Sequence, residues 1–272
     1  MTSQPRTVLI TGATDGLGRA LADRLAADGE NLILHGRDQD KLDQAATDIA
    51  SQHGRRPVTV TADLAELRQV RDLAAAVRER TGRLDVLVSN AGIGSGEPDG
   101  RERRVSADGY ELRFAVNYLA GFLLTQELLD LLRASAPARI VNVASIGQAQ
   151  LDFDDLMLER GYSGVRAYGQ SKLAQIMSGF TLAQQLPADQ VTVNSLHPST
   201  YMPTKIVLQE IGTSTDTLEA GTDATRRLTS SPELDGVTGE FYDRTTPARA
   251  HEQAYDPSAR GELHRRSLQL VG

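Results

Sequence analysis

Short apolar runs and amphipathic stretches alternate along most of this 272-residue chain. Thr7–Ile10, Asn31–His35, Val58–Thr61, Val86–Ser89, Arg139–Val143 and Val191–Leu196 are Val-, Ile- and Leu-rich runs of strand length. Between them lie segments with apolar residues at helical spacing: Leu17–Ala27, a stretch capped by Asp38 and running to Gln52, Glu66–Arg80, Tyr110–Ala134 and Tyr168–Leu186. Continuous rather than alternating hydrophobicity in the strands, with helices between them, predicts a parallel sheet covered on both faces. After Ser145 the spacing loosens. Ile146–Ala167 is a long acidic insertion with Asp152, Asp154, Asp155 and Glu159, and Thr200–Ser231 is rich in Thr, Ser and Gly, which predicts a mobile cover over a site. Gly239–Tyr242 reads as a last strand and Pro257–Leu270 as a terminal helix. No repeat, low-complexity tract or linker divides the chain, so one domain spanning residues 1–272 is expected, with 200–231 as its substrate-covering segment.

The first strand runs into Thr11-Gly12-Ala13-Thr14-Asp15-Gly16-Leu17-Gly18, which opens the first helix. Glycines at 12, 16 and 18 allow a sharp turn and close approach of the backbone to a pyrophosphate at the helix amino terminus. With right-handed crossovers the α/β pattern becomes a doubly wound Rossmann fold. Further along, Tyr168 and Lys172 are four residues apart, so both lie on one helix face. A phenol can hand over a proton, and a neighbouring ammonium favours the phenolate of a group that ordinarily titrates near pH ~10.

In this order, Thr11–Gly18, Asp63-Leu64, Asn90-Ala91-Gly92, Asn117, Ser145 and Tyr168–Lys172 resemble the short-chain dehydrogenase/reductase family over roughly the first 200 residues. The long gap between Ser145 and Tyr168, with Asp108-Gly109-Tyr110-Glu111-Leu112, is similar to the retinol-dehydrogenase-like and protochlorophyllide-reductase-like branch. The resemblance implies Tyr168 as general acid/base, Ser145 as hydrogen-bond donor to the substrate oxygen, Lys172 as tuner of the tyrosine and holder of the nicotinamide ribose, and Asn117 as the anchor of a water leading to solvent. It also implies that Gly12, Thr14, Asp15, Gly16, Leu17 and Gly18 cradle the cofactor, that Asp63 and Leu64 meet the adenine, and that Asn90, Ala91 and Gly92 line the adenosine. Pro198, Ser199 and Thr200 would lie beside the nicotinamide. Ser199 stands where the family usually has glycine, and Thr204 falls one residue later than the usual threonine.

The second strand ends in His35-Gly36-Arg37, with no acid before Asp38. An NAD enzyme places a carboxylate there for the ribose hydroxyl, whereas a guanidinium fork suits a 2′-phosphate, so NADP(H) is favoured over NAD(H). Asp15 stands where NADP-preferring members often carry a second basic residue.

Composition narrows the alternatives. A net charge of −7 without a basic stretch argues against nucleic acid. The absence of cysteine excludes disulfides, thiol nucleophiles and sulfur-bound metal, and the histidines form no metal-spaced cluster. No apolar run approaches the ~18 residues of a membrane span, and the polar start Met1–Arg6 carries no signal peptide, which points to the cytoplasm. The expected activity is hydride transfer between nicotinamide and a ketone or secondary alcohol with a largely apolar body, most simply as a ketoreductase. A non-catalytic nucleotide-binding scaffold or redox sensor would normally lack the tyrosine or the lysine. An epimerase or dehydratase of the extended relatives would carry a different glycine spacing and a larger carboxy-terminal domain. The resemblance implies a homodimer or homotetramer through 110–134 and 168–186, unless the carboxy-terminal extension covers that surface.

Overall fold

The computed structural model describes residues 4–96 and 100–272; Met1–Ser3 of the polar start lie outside them. In chain order the elements are β1 (Thr7–Ile10), α1 (Gly16–Ala27), β2 (Asn31–Gly36), α2 (Gln39–His53), β3 (Val58–Thr61), α3 (Leu67–Arg80), β4 (Val86–Ser89), α4 (Leu112–Phe114), a π-helical turn (Ala115–Leu119), α5 (Ala120–Ala134), β5 (Ala138–Val143), α6 (Gly164–Gln185), β6 (Val191–His197), α7 (Lys205–Glu210), α8 (Leu218–Ser230), β7 (Phe241–Asp243), β8 (Thr246–Ala248) and α9 (Pro257–Val271). They form one eight-stranded sheet in the order β3-β2-β1-β4-β5-β6-β7-β8, parallel except for the antiparallel β8. This is the doubly wound Rossmann architecture.

Alternation along each strand sends apolar side chains to both faces. Val8 and Ile10 point into one core with Leu21, Leu25, Leu42 and Leu228, while Leu9 points into the other with Leu73, Leu123, Leu173 and Ile176. Both sets are essentially inaccessible to water, and each fully buried Leu or Ile contributes roughly 1.5–3 kcal/mol. The chain leaves β1 in one direction along the sheet and returns through β4 on its other side, so β1 and β4 are neighbours at the point where winding reverses. Crevices outside the strand carboxyl ends at such a point hold ligands in doubly wound sheets.

Several expected elements change. The 110–134 helix is interrupted by the π-helical turn, which contains Asn117. The helix carrying Tyr168 starts at Gly164, because Ser163 caps it by accepting a hydrogen bond from the Arg166 N–H. The segment 200–231, expected as one cover, divides in two. Helix α7 has no buried residue, whereas α8 buries Ala224, Thr225, Leu228 and Thr229 against α1 and β5. Finally, α9 lies on α5 and α6: the Tyr118 hydroxyl meets Ser267 Oγ at 2.6 Å and Phe122 packs edge-on against His264. Among the described residues no helix is long and apolar enough to cross a membrane.

Candidate active site

The glycine turn is built on backbone conformations that a side chain resists. Gly12 and Gly16 have φ of 67° and 52°. Gly18 has no room for a Cβ, which would collide with the Gly12 carbonyl and the Asn90 side chain. Asn90 Nδ2 donates to the carbonyls of Thr11 (2.9 Å) and Gly12 (3.2 Å), and Thr11 Oγ1 accepts from the N–H groups of Asn90 and Ala91. Asn90-Ala91 therefore braces the turn from β4. From β2, buried His35 accepts from Gly12 N–H through Nδ1 and faces the Ala62 carbonyl through Nε2. Burial holds this imidazole neutral, with its pKa lowered to about 4. Nothing in the spacing of the sequence singles out His35, because its role depends on β1, β2 and β3 lying side by side.

Thr14 lies under Gly36, where a Cβ would have no space, and Asp15 caps α1 by accepting from Gly16 N–H at 2.7 Å. Leu17 and Leu64 turn their side chains into the core, so only their backbones can face a ligand. Asp63 caps the following turn by accepting from Ala65 N–H at 2.9 Å. Asp38 is engaged as the cap of α2, with Oδ1 accepting from Lys41 N–H. Arg37 beside it is exposed. A turn with no room for a Cβ at Gly18, at the amino terminus of α1, fits a nicotinamide dinucleotide.

At the other end of the crevice, Ser145 follows β5 and α6 presents Tyr168 and Lys172. Ser145 Oγ accepts from Gly147 N–H at 3.0 Å and lies beside Tyr168: a Cβ on Gly147 would be 3.4 Å from Ser145 Oγ and 3.9 Å from the Tyr168 ring. Lys172 Nζ donates to the Val143 carbonyl (2.9 Å) and lies 5.9 Å from the Tyr168 ring centre. Burial lowers the Lys172 pKa to about 8. The sequence led us to expect a tyrosine pKa lowered by the ammonium. The net shift is upward, because burial outweighs the opposing effect of the nearby Ser145 hydroxyl and the Glu210 carboxylate adds to it. The phenol is held protonated.

Asn117 is fully engaged. Its Oδ1 accepts from Ile93 N–H (2.8 Å), and Nδ2 donates to the Ile93 carbonyl (3.1 Å) and Ser171 Oγ (3.0 Å). A Cβ on Gly92 would lie 3.1 Å from Asn117 Oδ1 and 3.6 Å from Lys172 Nζ, so the three residues share one small space. After β6, Ser199 Oγ donates to Asp216 (2.7 Å), which also receives Arg244 from the β7–β8 turn, and His197 Nε2 meets Thr200 Oγ1 at 3.0 Å. The segment Pro198–Thr200 is thereby fixed at the strand ends. Ser199, in place of the usual glycine, is used for this clasp. Thr204 lies over Gly16, on the opposite wall of the cleft. Neither Asp216 nor Glu210 was marked by any motif. Among the described residues no group of His, Asp and Glu is arranged to hold a metal.

The short chain dehydrogenase family model matches residues 6–211. The chain belongs to that family. It is 35% identical to human retinol dehydrogenase 13 over 98% of this chain and 85% of that protein. It is also 35% identical, over 98% of this chain and 93% of the relative, to DnrU of Streptomyces sp. (strain C5), provisionally named a daunorubicin C-13 ketoreductase. Among solved structures it resembles a Shigella flexneri short chain dehydrogenase complexed with NADP, with a TM-score of 0.70, 27% identity, and coverage of 88% of this chain and 96% of that one. The protein is thus an oxidoreductase of the retinol-dehydrogenase-like branch, with a fold that binds a nicotinamide cofactor.

Proposed function

We propose that this enzyme is an NADP(H)-dependent ketoreductase that interconverts a ketone and a secondary alcohol on a small, largely apolar molecule. The observation that carries this reading is Ser145 and Tyr168 brought together beside Gly147 at the carboxyl edge of the sheet, with Lys172 one turn further along α6. A bound nicotinamide supplies or removes the hydride at the carbonyl carbon. Ser145 Oγ donates to the carbonyl oxygen, where negative charge develops, and stabilises it there. The Tyr168 hydroxyl delivers the proton to that oxygen, or takes it back in the reverse direction. Lys172, as an ammonium, lowers the cost of the tyrosinate left behind. The Val143 carbonyl keeps that ammonium in place, and the Asp216 clasp keeps Ser199 and Thr200 from shifting.

An apolar substrate is supported by the side chains left exposed on the insertion and on the cover: Ile146, Val165, Tyr201, Leu208 and Ile211. NADP(H) is supported by Arg37, exposed at the end of β2 while the adjacent carboxylate is used as a helix cap. The Arg37→Ala variant tests that preference. It should weaken NADPH binding by roughly 1.5–3 kcal/mol, about ten- to a hundredfold, and leave NADH nearly unchanged. Equal losses for both cofactors, measured by fluorescence titration, would make Arg37 a structural residue.

A further inference from the structure

Helix α7 is six residues long, buries none of them, and exposes Leu208 while Ile211 just beyond it is exposed too. So short a helix has no stability of its own. Its inner side is nevertheless seated closely. Ile206 and Glu210 occupy the space that a Cβ on Gly94 would need, and a Cβ on Gly96 would lie 3.0 Å from Glu210 Cγ. The Glu210 carboxylate accepts from Ser95 Oγ at 2.5 Å and from Gly96 N–H at 2.7 Å. At the start of the helix, Thr204 lies against Gly16 of the nucleotide turn. The helix thus bridges the cleft from the β6 side to the loop that follows β4.

The receiving loop is held from beneath. Arg113, completely buried, donates through Nε to the Gly94 carbonyl and through Nη2 to the Ser95 carbonyl, both at 2.7 Å. Its Nη1 donates to the Tyr162 hydroxyl of the insertion, and that hydroxyl donates to Glu111. Breaking such a buried charged network is costly, so the loop stays in place while α7 has only its seat to hold it.

We propose that Glu210 is a positioning residue: seated on Ser95 and Gly96, its carboxylate latches α7 across the Tyr168 end of the cleft and sets how long cofactor and substrate stay enclosed. What is enclosed rests on the dehydrogenase reading above; the latch itself does not. Burial above all keeps the Tyr168 phenol protonated, against the nearby Ser145 hydroxyl, and the same carboxylate adds to it, so closure and the protonation of the tyrosine go together.

The test uses the full-length protein and the variants Glu210→Ala, Glu210→Gln and Ser95→Ala. Without ligand, amide exchange across 205–211 should speed up about tenfold or more in Glu210→Ala, because two charge-assisted hydrogen bonds are lost. Glu210→Gln keeps the shape and one acceptor and should fall between Glu210→Ala and the native protein; Ser95→Ala should do the same. NADPH release, followed by fluorescence in stopped flow, should rank the four proteins identically, while the melting temperature and the exchange of β1, β4 and β5 stay unchanged. Exchange in 205–211 that is the same in all four proteins would overturn the latch. So would faster exchange throughout the sheet with a lowered melting temperature, because Glu210 would then be a general structural residue. If the native protein binds no NADPH, the dehydrogenase reading fails, and the exchange ranking still decides the latch.

Discussion

Tyr168 and Lys172 share a helix face, but burial acts on them in opposite directions: it raises the phenol and lowers the ammonium to about 8. For reduction the tyrosine must carry its proton and the lysine its charge. The value of kcat/KM for ketone reduction should therefore be flat from about pH 6 to near 8 and fall as one proton is lost above that. In Lys172→Met the plateau should be lower and the fall should move to higher pH, which pH-rate profiles would show. His35 makes a separate prediction about stability. Its folded pKa of about 4 lies below the ordinary 6.5, so between those values the unfolded chain binds a proton that the native protein refuses. Stability should be greatest above pH 6.5 and fall as the pH drops towards 4, by on the order of 3 kcal/mol from this group. Urea unfolding of the native protein and His35→Gln at pH 7 and 5 isolates that share; parallel losses in both proteins would contradict it.

At the scale of elements, the strands and the helices between them were legible because each carries its own periodicity, and both the glycine turn and the tyrosine–lysine pair are local in sequence. What could not be read depends on residues far apart in the chain. The β7–β8 hairpin is two three-residue strands around Arg244, whose φ of 55° no local pattern announces, and Pro247 in β8 argues against a strand. The π-helical turn has apolar residues on all sides and reads as ordinary helix. The division of 200–231 is equally hidden: α8 packs its face with threonines whose hydroxyls bond back to the previous turn, as Thr225 does to Gly221 and Thr229 to Thr225. Threonine content looked like mobility, and it is core packing. In ligand-free protein, amide exchange should find α8 protected as well as α1 and α7 far less so, with protection of α7 rising when NADPH and substrate bind. Equal and ligand-independent protection of the two helices would show a preformed pocket.

For the whole molecule, seven parallel strands bring their carboxyl ends to one edge, and the candidate site draws on six of them: Gly12, Arg37, Asp63, Asn90, Ser145 and Pro198. The opposite consideration is α9, which covers α5 and α6, the helices through which the family resemblance implied association. Tyr110 adds to that cover by donating from its hydroxyl to the Leu270 carbonyl at 2.8 Å. On this chain α9 thus occupies part of that surface. Truncation after Tyr255 should bare Phe122 and its neighbours and increase self-association in sedimentation experiments relative to the full chain.

In the proposed reaction Tyr168, set by Ser145 and Lys172, is the proton donor of an NADPH-dependent ketone reduction. The most direct measurement follows NADPH oxidation by the native enzyme and by Tyr168→Phe across a panel of apolar ketones of increasing size, with NADPH affinity measured in parallel. The native enzyme should turn over members of the panel, and Tyr168→Phe should lose about 10²–10⁴-fold in kcat while its NADPH affinity stays within about threefold, since only the donated proton is missing. A variant that binds NADPH normally and still reduces the same ketones at close to the native rate would contradict the account.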